Sequence, residues 1–332
     1  MTRGEKTKLA ILRAVAEADG PVGATKLVDR LAAIGPAMQP RTIRFYLLQL
    51  DREGLTQFVS RRLGRRITER GRAELAHANA IEKVGFIAAK VDNLGYRMTF
   101  STRRGKGTLI TNVALLDRRV LGLALREMEP VFAAGYGMGS KLAVAEAGGK
   151  LGDLVAPEGM VALGTVCSVT VNGIMLNEGI PVTSRFGGLV EMREGKPLRF
   201  VELIEYAGTT VDPLEAFIKA GMTRVRDCVR TGSGIIGASF REIPSAALGD
   251  MNRIQKEMQG CGLGGLLALG RPNRPLLDVP VAEGRTGMVI VGGMNPVAAL
   301  HEAGSRIAMF SLAGLEDFDS FVGYREVCRK YA

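Results

Sequence analysis

The C-terminal two thirds of the chain contain an internal repeat. When the sequence is shifted on itself by 125 residues, 135–179 align with 260–304 without a gap and with about ten identities in 45 positions. A glycine-rich composition gives roughly three or four such identities by chance, so the match indicates a duplicated structural unit. Short apolar runs alternate with helical patterns here, which is typical of α/β (α+β) architecture. We therefore predict a duplicated body with related halves at 105–179 and 232–310.

Each half of the repeat contains a strand, a turn and a helix. The run GMVIVGGMNPVAALHEAG predicts a glycine turn and a helix that is capped by Asn295, with Pro296 at its first position. By the repeat, VALGTVCSVTVNGIMLNEG folds in the same way, with Ser168 or Thr170 near the cap. Free N–H groups at a helix start attract anions, so the sequence predicts a seat for a carboxylate here. Slightly downstream, Arg185 can hold a second carboxylate through two hydrogen bonds.

The N-terminal segment has the pattern of a winged helix-turn-helix. Apolar residues at helical spacing predict helices over 5–18, 24–35 and 40–54, and Leu48 is expected to face inward in the third. The runs LTQFVS and ITERG then flank RRLGRR, which predicts a β-hairpin with an arginine-rich tip. Three helices and such a hairpin predict a third helix in the DNA major groove and a wing on the phosphates or in the minor groove.

Charge also marks the N-terminal segment as a nucleic-acid-binding unit. Residues 1–80 hold 15 Lys and Arg against 8 Asp and Glu, so most of the net charge of +10 lies there. Such an uneven excess is expected of a footprint on a polyanion. Winged helices that bind other proteins are the alternative, and the arginine tip favours DNA. The candidate DNA-binding residues are Arg41, Thr42, Arg44 and Phe45 in the third helix and Arg61, Arg62, Arg65 and Arg66 at the tip.

The domain organisation follows from these two patterns. We predict a winged helix-turn-helix domain over 1–75, a linker helix over 76–93 and an effector-sensing domain over 94–332. The linker belongs to one helical pattern that covers 70–92. A homodimer is expected because winged-helix operators usually have two-fold symmetry.

Composition excludes several other classes of protein. The four cysteines are widely spaced and the two histidines are not at ligand spacing, so we expect reduced thiols and no metal site. No apolar run approaches the roughly 18 residues that span a bilayer, and MTRGEKTK is not a signal peptide. We therefore expect a soluble, cytoplasmic protein without a membrane partner.

The turn around Cys167 can be a ligand pocket, a purely structural turn or a catalytic site. A nucleophilic cysteine needs a base, and His301 in the other half is the one histidine of this domain. The domain also lacks a nucleophile elbow and a P-loop. We therefore expect the chain not to be an enzyme and to have no cofactor.

Several long motifs resemble the NrpR family, which are archaeal repressors of nitrogen assimilation. The most diagnostic run begins GTVCSVTVNGIMLNEGIPVTSRFGGLV and continues to Thr223, and SGIIGASFREIP and RPNRPLLDVPVAEGRTGMVIVGGMNPVAALHEAG extend the likeness. The resemblance implies a dimeric repressor at operators near nitrogen-fixation and ammonium-assimilation genes, released when 2-oxoglutarate accumulates. Because one effector domain follows the winged helix here, the chain resembles the members that work with a separate NrpR-type subunit.

A small dicarboxylate such as 2-oxoglutarate fits the site that the residues predict, since a helix N-terminus and an arginine can hold its two ends. Closure of a cleft between the halves would then favour one of two states. Arg241 has an equal alternative as a structural bridge to Glu242 or another acid. The expected effector-binding residues are Thr165, Cys167, Ser168, Thr170, Thr183, Ser184 and Arg185, with Arg241 and Asn295 as further candidates.

Two other classes of function stay open at this point. One is an enzyme that acts on a small carboxylate and carries a fused DNA-binding domain. The other is a constitutive architectural or bridging protein that responds to no effector. Release from operator DNA by an unconsumed ligand distinguishes the repressor from both.

Overall fold

The computed structural model of the chain describes residues 3–18, 20–32, 38–82 and 85–331. The chain divides into two compact units between residues 84 and 85. Within the described ranges, every helix is too short or too polar to cross a membrane.

The first unit has the element order of a winged helix. Its elements are α1 Arg3–Ala16, α2 Ala24–Ala32, α3 Pro40–Arg52, β1 Thr56–Ser60, β2 Gly64–Ile67 and α4 Glu69–Glu82. β1 and β2 pair as an antiparallel hairpin. A proline at the first turn of a helix loses no hydrogen bond, which explains why α3 begins at Pro40. The three helices bury a common core that includes Ile11, Leu12, Leu27, Leu31, Ile43 and Leu47.

Two sequence predictions for the third helix differ from the structure. Leu48 was expected inside and is 51% exposed, because the buried face of α3 follows Ile43, Leu47 and Leu50 at spacings of four and three. The third helix ends at Arg52, and the glycine at 54 has φ 72°, which a right-handed helix does not tolerate. Residues 33–35, the predicted end of the second helix, lie outside the described ranges.

The helix predicted over 70–92 is two helices. The first, α4, ends at Glu82, and α5 covers Phe86–Arg97. Gly85 precedes α5 with φ 76°, a left-handed conformation that favours glycine and ends helical continuity. Residues 83 and 84 are not among those described.

The second unit continues after α5 with two five-stranded sheets and their helices. The first half contains β3 Thr108–Asp117, α6 Leu121–Ala133, β4 Lys141–Ala145, β5 Lys150–Leu151, β6 Leu154–Val155, β7 Met160–Val166 and α7 Thr170–Asn177. A middle segment contains β8 Thr183–Arg193, β9 Lys196–Glu205, α8 Pro213–Lys219 and α9 Val225–Thr231. The remainder contains β10 Gly234–Pro244, α10 Leu248–Gly260, β11 Leu266–Leu269, β12 Arg285–Val291, α11 Asn295–Glu302, β13 Ala308–Asp317, β14 Val322–Gly323 and α12 Tyr324–Tyr331.

The two halves repeat the same order of elements. Both run strand, short 3-10 turn, helix, strand, strand, helix and strand, from β3 to β8 and from β10 to β13, except that the first half has the additional short pair β5 and β6 between β4 and β7. The offset is 125 residues at several corresponding points: β7 and β12 begin at 160 and 285, and α7 and α11 begin at 170 and 295. The sequence repeat therefore corresponds to a repeat of structure.

Each half completes its sheet with a strand that follows the other half in sequence. The sheet orders are β13-β3-β7-β4-β14 and β11-β12-β10-β8-β9. Thus β8, which follows the first half, pairs with β10 of the second, and β13, which follows the second half, pairs with β3 of the first. The described pairs in both sheets are antiparallel, so α+β is the applicable form of the predicted fold class.

The two halves share one hydrophobic core. Buried side chains of β3, β7, β10 and β12 belong to a single cluster, and these central strands are buried along almost their whole length. The turn of the second half lies against that of the first: a Cβ on Gly293 would lie 2.1 Å from the Val166 carbonyl oxygen and 3.1 Å from Cys167 Cα. Backbone on both sides leaves little room for relaxation.

We expect Gly293→Ala to lower the free energy of unfolding by about 1–3 kcal/mol, because the added methyl group overpacks the contact between the two turns. Chemical denaturation measures this change. Gly249→Ala is the matched control, since its Cβ meets no atom within 4 Å and it lies in a helix, where alanine is preferred. Equal stability of the two variants would contradict the close approach.

Candidate functional site

The first candidate site is the exposed face of α3. Arg41, Thr42, Arg44 and Phe45 all lie on its solvent side, and Phe45 is 57% exposed. The helical period turns these side chains outward because Ile43, between them, is held in the core. The four residues predicted on this helix are therefore accessible to a large partner.

The hairpin lies beside this face of α3. Arg61, Arg62 and Leu63 form its turn and are exposed, and the Leu63 N–H donates to Ser60 Oγ at 3.0 Å. A groove runs between the hairpin, the start of α2 and α3. Both basic and apolar side chains line it, namely Lys26, Arg44, Arg61 and Arg62 with Leu48, Phe58 and Leu63.

Arg65 and Arg66 lie in β2 and not in the turn, which corrects their assignment to the tip. Arg65 is an internal brace: its Nε donates to Asp51 Oδ2 at 2.7 Å, and its guanidinium lies 5.2 Å from the centre of the Phe58 ring. The Arg66 side chain donates twice to Gln57 Oε1, at 3.1 and 2.9 Å. The exposed arginines of the turn are Arg61 and Arg62.

The second candidate site surrounds the turn between β7 and α7. The N–H groups of Thr170, Val171 and Asn172 already donate to the carbonyls of Cys167, Ser168 and Val169, respectively. The N-cap residue is Val169, and no side chain caps the helix. These three N–H groups are therefore not free for a ligand, and the predicted anion seat is narrowed to the N–H groups of Ser168 and Val169.

Asn295 was also expected to cap a helix, and it lies inside α11, where Met294 is the N-cap. Its side chain joins two other segments instead. Oδ1 accepts from the Gly237 N–H at 2.9 Å, while Nδ2 donates to the carbonyls of Tyr136 and Gly237 at 3.0 Å. With these groups engaged, Asn295 fixes α11 to β10.

Two hydroxyls of the predicted pocket form structural hydrogen bonds, and its thiol is buried. Thr165 Oγ1 accepts from Asn112 Nδ2 at 3.5 Å, and Thr170 Oγ1 lies 3.3 Å from both the N and the O of Ile110. Cys167 is buried, and burial raises the pKa of its thiol to about 12. A thiol in this state is not a nucleophile near neutral pH.

Arg185 has two acceptors outside the turn that follows β7. Its Nη1 donates to Glu242 Oε1 at 2.8 Å and to the Pro280 carbonyl at 2.7 Å. Its side chain is 37% exposed, whereas that of Glu242 is almost fully buried. Thr183 Oγ1 accepts from Arg285 Nη2 at 2.7 Å. Thr183 and Arg185 thus form their hydrogen bonds with residues outside the turn that follows β7.

Arg241 is fully buried, and its charge is not matched by an acid among the described residues. The predicted alternative of a bridge to Glu242 is wrong, since Arg185 takes that carboxylate. Arg241 Nη2 donates to Ser168 Oγ at 3.3 Å, while Nε and Nη1 lack a partner in the described part of the chain. Burial lowers the pKa of this guanidinium.

Asn172 joins Ser168, Ser184 and Arg241 in what we call the Arg241 cluster. Asn172 Nδ2 donates to Ser184 Oγ at 2.8 Å, and its buried Oδ1 lacks a partner among the described residues. Ser184 is in turn the cross-strand neighbour of Arg241. Sequence reasoning missed Asn172, although its spacing of four from Ser168 places both on one face of a helical turn.

The cluster adjoins two other titratable groups, the half-buried Asp212 and the buried Tyr206. Asp212 Oδ1 caps α8 by accepting from the N–H groups of Leu214 and Glu215, each at 3.0 Å. Burial outweighs these hydrogen bonds and raises the pKa of Asp212 from 3.8 to about 6. Burial also raises the pKa of Tyr206, on which Asp212 and Arg241 both act.

We expect the stability of the wild-type chain relative to Asp212→Asn to increase as pH falls from about 7 to about 4. A raised folded pKa means that the folded chain binds the proton more tightly, so the contribution is complete below pH 3.8 and is lost as pH rises through about 6. We expect a difference of about 1–2 kcal/mol across this range. Urea denaturation of both proteins measures it, and asparagine keeps the capping oxygen. Parallel pH curves would disprove ionisation of Asp212 in this window.

Metal and disulfide chemistry have little support in the described residues. They contain no group of three or more His, Cys, Asp or Glu side chains placed to hold a metal ion. The four cysteines, Cys167, Cys228, Cys261 and Cys328, are unpaired.

Comparison with known proteins finds a matching family model in each part of the chain. Residues 9–75 match the ribonuclease R winged-helix domain, and residues 84–322 match the family described as NrpR regulatory domains NRD1 and 2. A crystal structure of a nitrogen repressor-like protein from Methanococcus jannaschii has a TM-score of 0.60 and 25% identity. The matched region covers 71% of this chain and 97% of the chain in that crystal structure.

Curated relatives extend the likeness over the whole chain. The global nitrogen regulator NrpRI of Methanosarcina mazei is 31% identical over 95% of this chain and 97% of its own length. The global nitrogen regulator NrpR of Methanococcus maripaludis is 31% identical over 93% of this chain, which spans 54% of that relative. That of Methanocaldococcus jannaschii is 28% identical over 90%, and the chain spans 51% of it.

A winged helix followed by a duplicated α+β regulatory domain is thus the class of protein that the fold defines. Within that class, the chain belongs to the family with NrpR regulatory domains, which confirms the resemblance seen in the sequence. The relatives are named as regulators, which agrees with the expectation that this chain is not an enzyme.

Proposed function

We propose that this chain is a transcriptional repressor of nitrogen-assimilation genes that binds double-stranded operator DNA through its winged helix. The observation that carries the proposal is the exposed face formed by Arg41, Thr42 and Arg44 of α3 and by Arg61 and Arg62 of the hairpin turn. The names of the relatives supply the nitrogen-regulatory role.

The chemistry of this face suits a duplex. Guanidinium groups bind guanine edges and phosphates, and a helix of this size enters the major groove. The exposed Phe45 and Leu48 are suited to apolar contacts such as the methyl group of thymine. Arg61 and Arg62 would then contact phosphates or the adjacent minor groove.

The proposal includes release by a small effector, 2-oxoglutarate. It is supported by the buried cation of the Arg241 cluster at the join of two structurally related halves. An effector that contacts both halves favours one arrangement of them over another, and only such differential affinity shifts an equilibrium. We further propose a homodimer on a two-fold operator, with a second NrpR-type subunit as a possible partner.

Titration of 2-oxoglutarate into the protein bound to labelled promoter DNA of nitrogen-assimilation genes tests the function. Fluorescence anisotropy should show release while the amount of 2-oxoglutarate stays constant. Consumption of the acid would support the enzyme alternative. Binding that is indifferent to 2-oxoglutarate would support a constitutive bridging protein, and no preference for the promoter duplex would refute the repressor.

We expect the double variant Arg61→Ala, Arg62→Ala to weaken duplex binding and to reduce its salt dependence. Loss of two phosphate contacts lowers the slope of log K against log salt by up to about 2. Anisotropy at several salt concentrations measures the slope. The control is Arg70→Ala, Arg72→Ala, which removes the same charge from exposed positions of α4. Equal slopes for the two double variants would remove the hairpin turn from the interface.

A further inference from the structure

The Arg241 cluster contains a buried positive charge that the chain itself does not neutralise. Arg241 has no exposed surface, and its one hydrogen bond within the described residues goes to the neutral Ser168 hydroxyl. Burial of an unpaired charge is strongly unfavourable, so such groups are normally paired. Two unpartnered guanidinium nitrogens, Nε and Nη1, therefore indicate that an anion is the missing component.

The neighbouring polar groups can complete an anion site. Asn172 Oδ1 lacks a partner while Nδ2 donates to Ser184. If the amide is turned over, Oδ1 accepts from the Ser184 hydroxyl and Nδ2 becomes a free donor. The cluster then offers N–H groups from Arg241 and Asn172 and a hydroxyl from Ser168. These are the donors that a carboxylate accepts.

A second cation lies within electrostatic range of the same place. The charged side chains that act most on the Cys167 thiol are Asp212, Arg241 and Lys90. Lys90 is half-buried in α5, and among the described residues no carboxylate is in ion-pair contact with it. Lys90 also acts on Asp212, so two cations and one carboxylate surround the turn, and the net positive charge favours an anion.

The cluster lies where the two halves meet. Ser168 and Asn172 come from the turn and helix that end the first half, whereas Arg241 lies on β10 of the second. Ser184 lies on β8, the strand that crosses from one half to the other sheet. A ligand here contacts both halves and the strand that joins them.

We propose that Arg241, Ser168, Asn172 and Ser184 bind one carboxylate of a small dicarboxylate effector. The inference rests on the proposed function for the identity of the effector, and it moves the main cation from Arg185 to Arg241. Arg185 already donates to Glu242 and Pro280, so a ligand would have to displace both. Asn172 becomes an effector-binding residue that the sequence pattern did not indicate.

Calorimetric titration of the full chain with 2-oxoglutarate tests the proposal. Arg241→Met should weaken binding at least about tenfold, since it removes hydrogen bonds to a charged group. Asn172→Ala should weaken binding by a smaller factor. Arg199→Met is the matched control, because Arg199 is an exposed arginine of the same sheet that bonds Glu191, and it should bind as the wild type does.

A thermal melt without ligand separates binding from a structural role. Methionine replaces an unpaired buried charge by an apolar chain of similar length, so the ligand-free Arg241→Met variant should melt at or above the wild-type temperature. The wild type should gain stability with 2-oxoglutarate and the variant should not. A variant that melts well below the wild type would show that Arg241 is a structural group and would overturn the proposal.

The outcomes distinguish this assignment from the proposed function. Binding to Arg241→Met as tight as to the wild type, with loss of binding in Arg185→Ala, would overturn the Arg241 cluster and leave the effector intact. If the wild type does not bind 2-oxoglutarate, the proposed effector fails, and succinate and sulfate are then used as probes. Absence of stabilisation by all three anions would overturn the anion site itself.

Discussion

The exchange of strands between the two halves determines the architecture of the regulatory domain. Since β13 completes the sheet of the first half and β8 that of the second, neither half has a complete sheet without the other. The central strands are covered on both faces and share one core, so the halves form a single packed body. A displacement at the join must therefore affect both sheets, because packed cores move between discrete arrangements and do not deform continuously.

The contrast between Arg185 and Arg241 illustrates what burial does to two arginines on neighbouring strands. Arg185 is partly exposed and has a carboxylate and a carbonyl as acceptors. Arg241 is fully buried, and the one acceptor that its guanidinium has among the described residues is the Ser168 hydroxyl. A charge left unpaired in a core opposes folding, and natural proteins keep such groups at functional positions. This reasoning, and not the chemistry of Cys167, makes the join between the halves the place where an anion would act.

The sequence predicted the types of element well, because they depend on local patterns. Helical spacing and Pro40 placed α3, and a duplicated motif placed the related halves. It was less successful where the outcome depends on one turn of a helix or one position in a hairpin. Leu48 lies one step away from the buried face, and Arg65 lies in a strand where Asp51 is within reach. Asp51 is distant in sequence from Arg65, so no local pattern contains this ion pair, whereas the position of Leu48 follows from the helical spacing of the buried residues in α3.

The candidate site shows more clearly which features the sequence determines and which depend on the tertiary structure. Residue types and spacing alone determined a basic winged helix, a duplicated regulatory body and a polar turn around Cys167, since these follow from periodicity, charge and self-similarity. Only the tertiary structure decided which polar groups are free. The first N–H groups of α7 donate to carbonyls of the preceding turn, and the Asn295 side chain forms hydrogen bonds with β10. Glu242 pairs with Arg185 and not with its neighbour Arg241. The reason is that hydrogen-bond partners and burial are set by segments distant in sequence, brought together when the strands exchange between the halves.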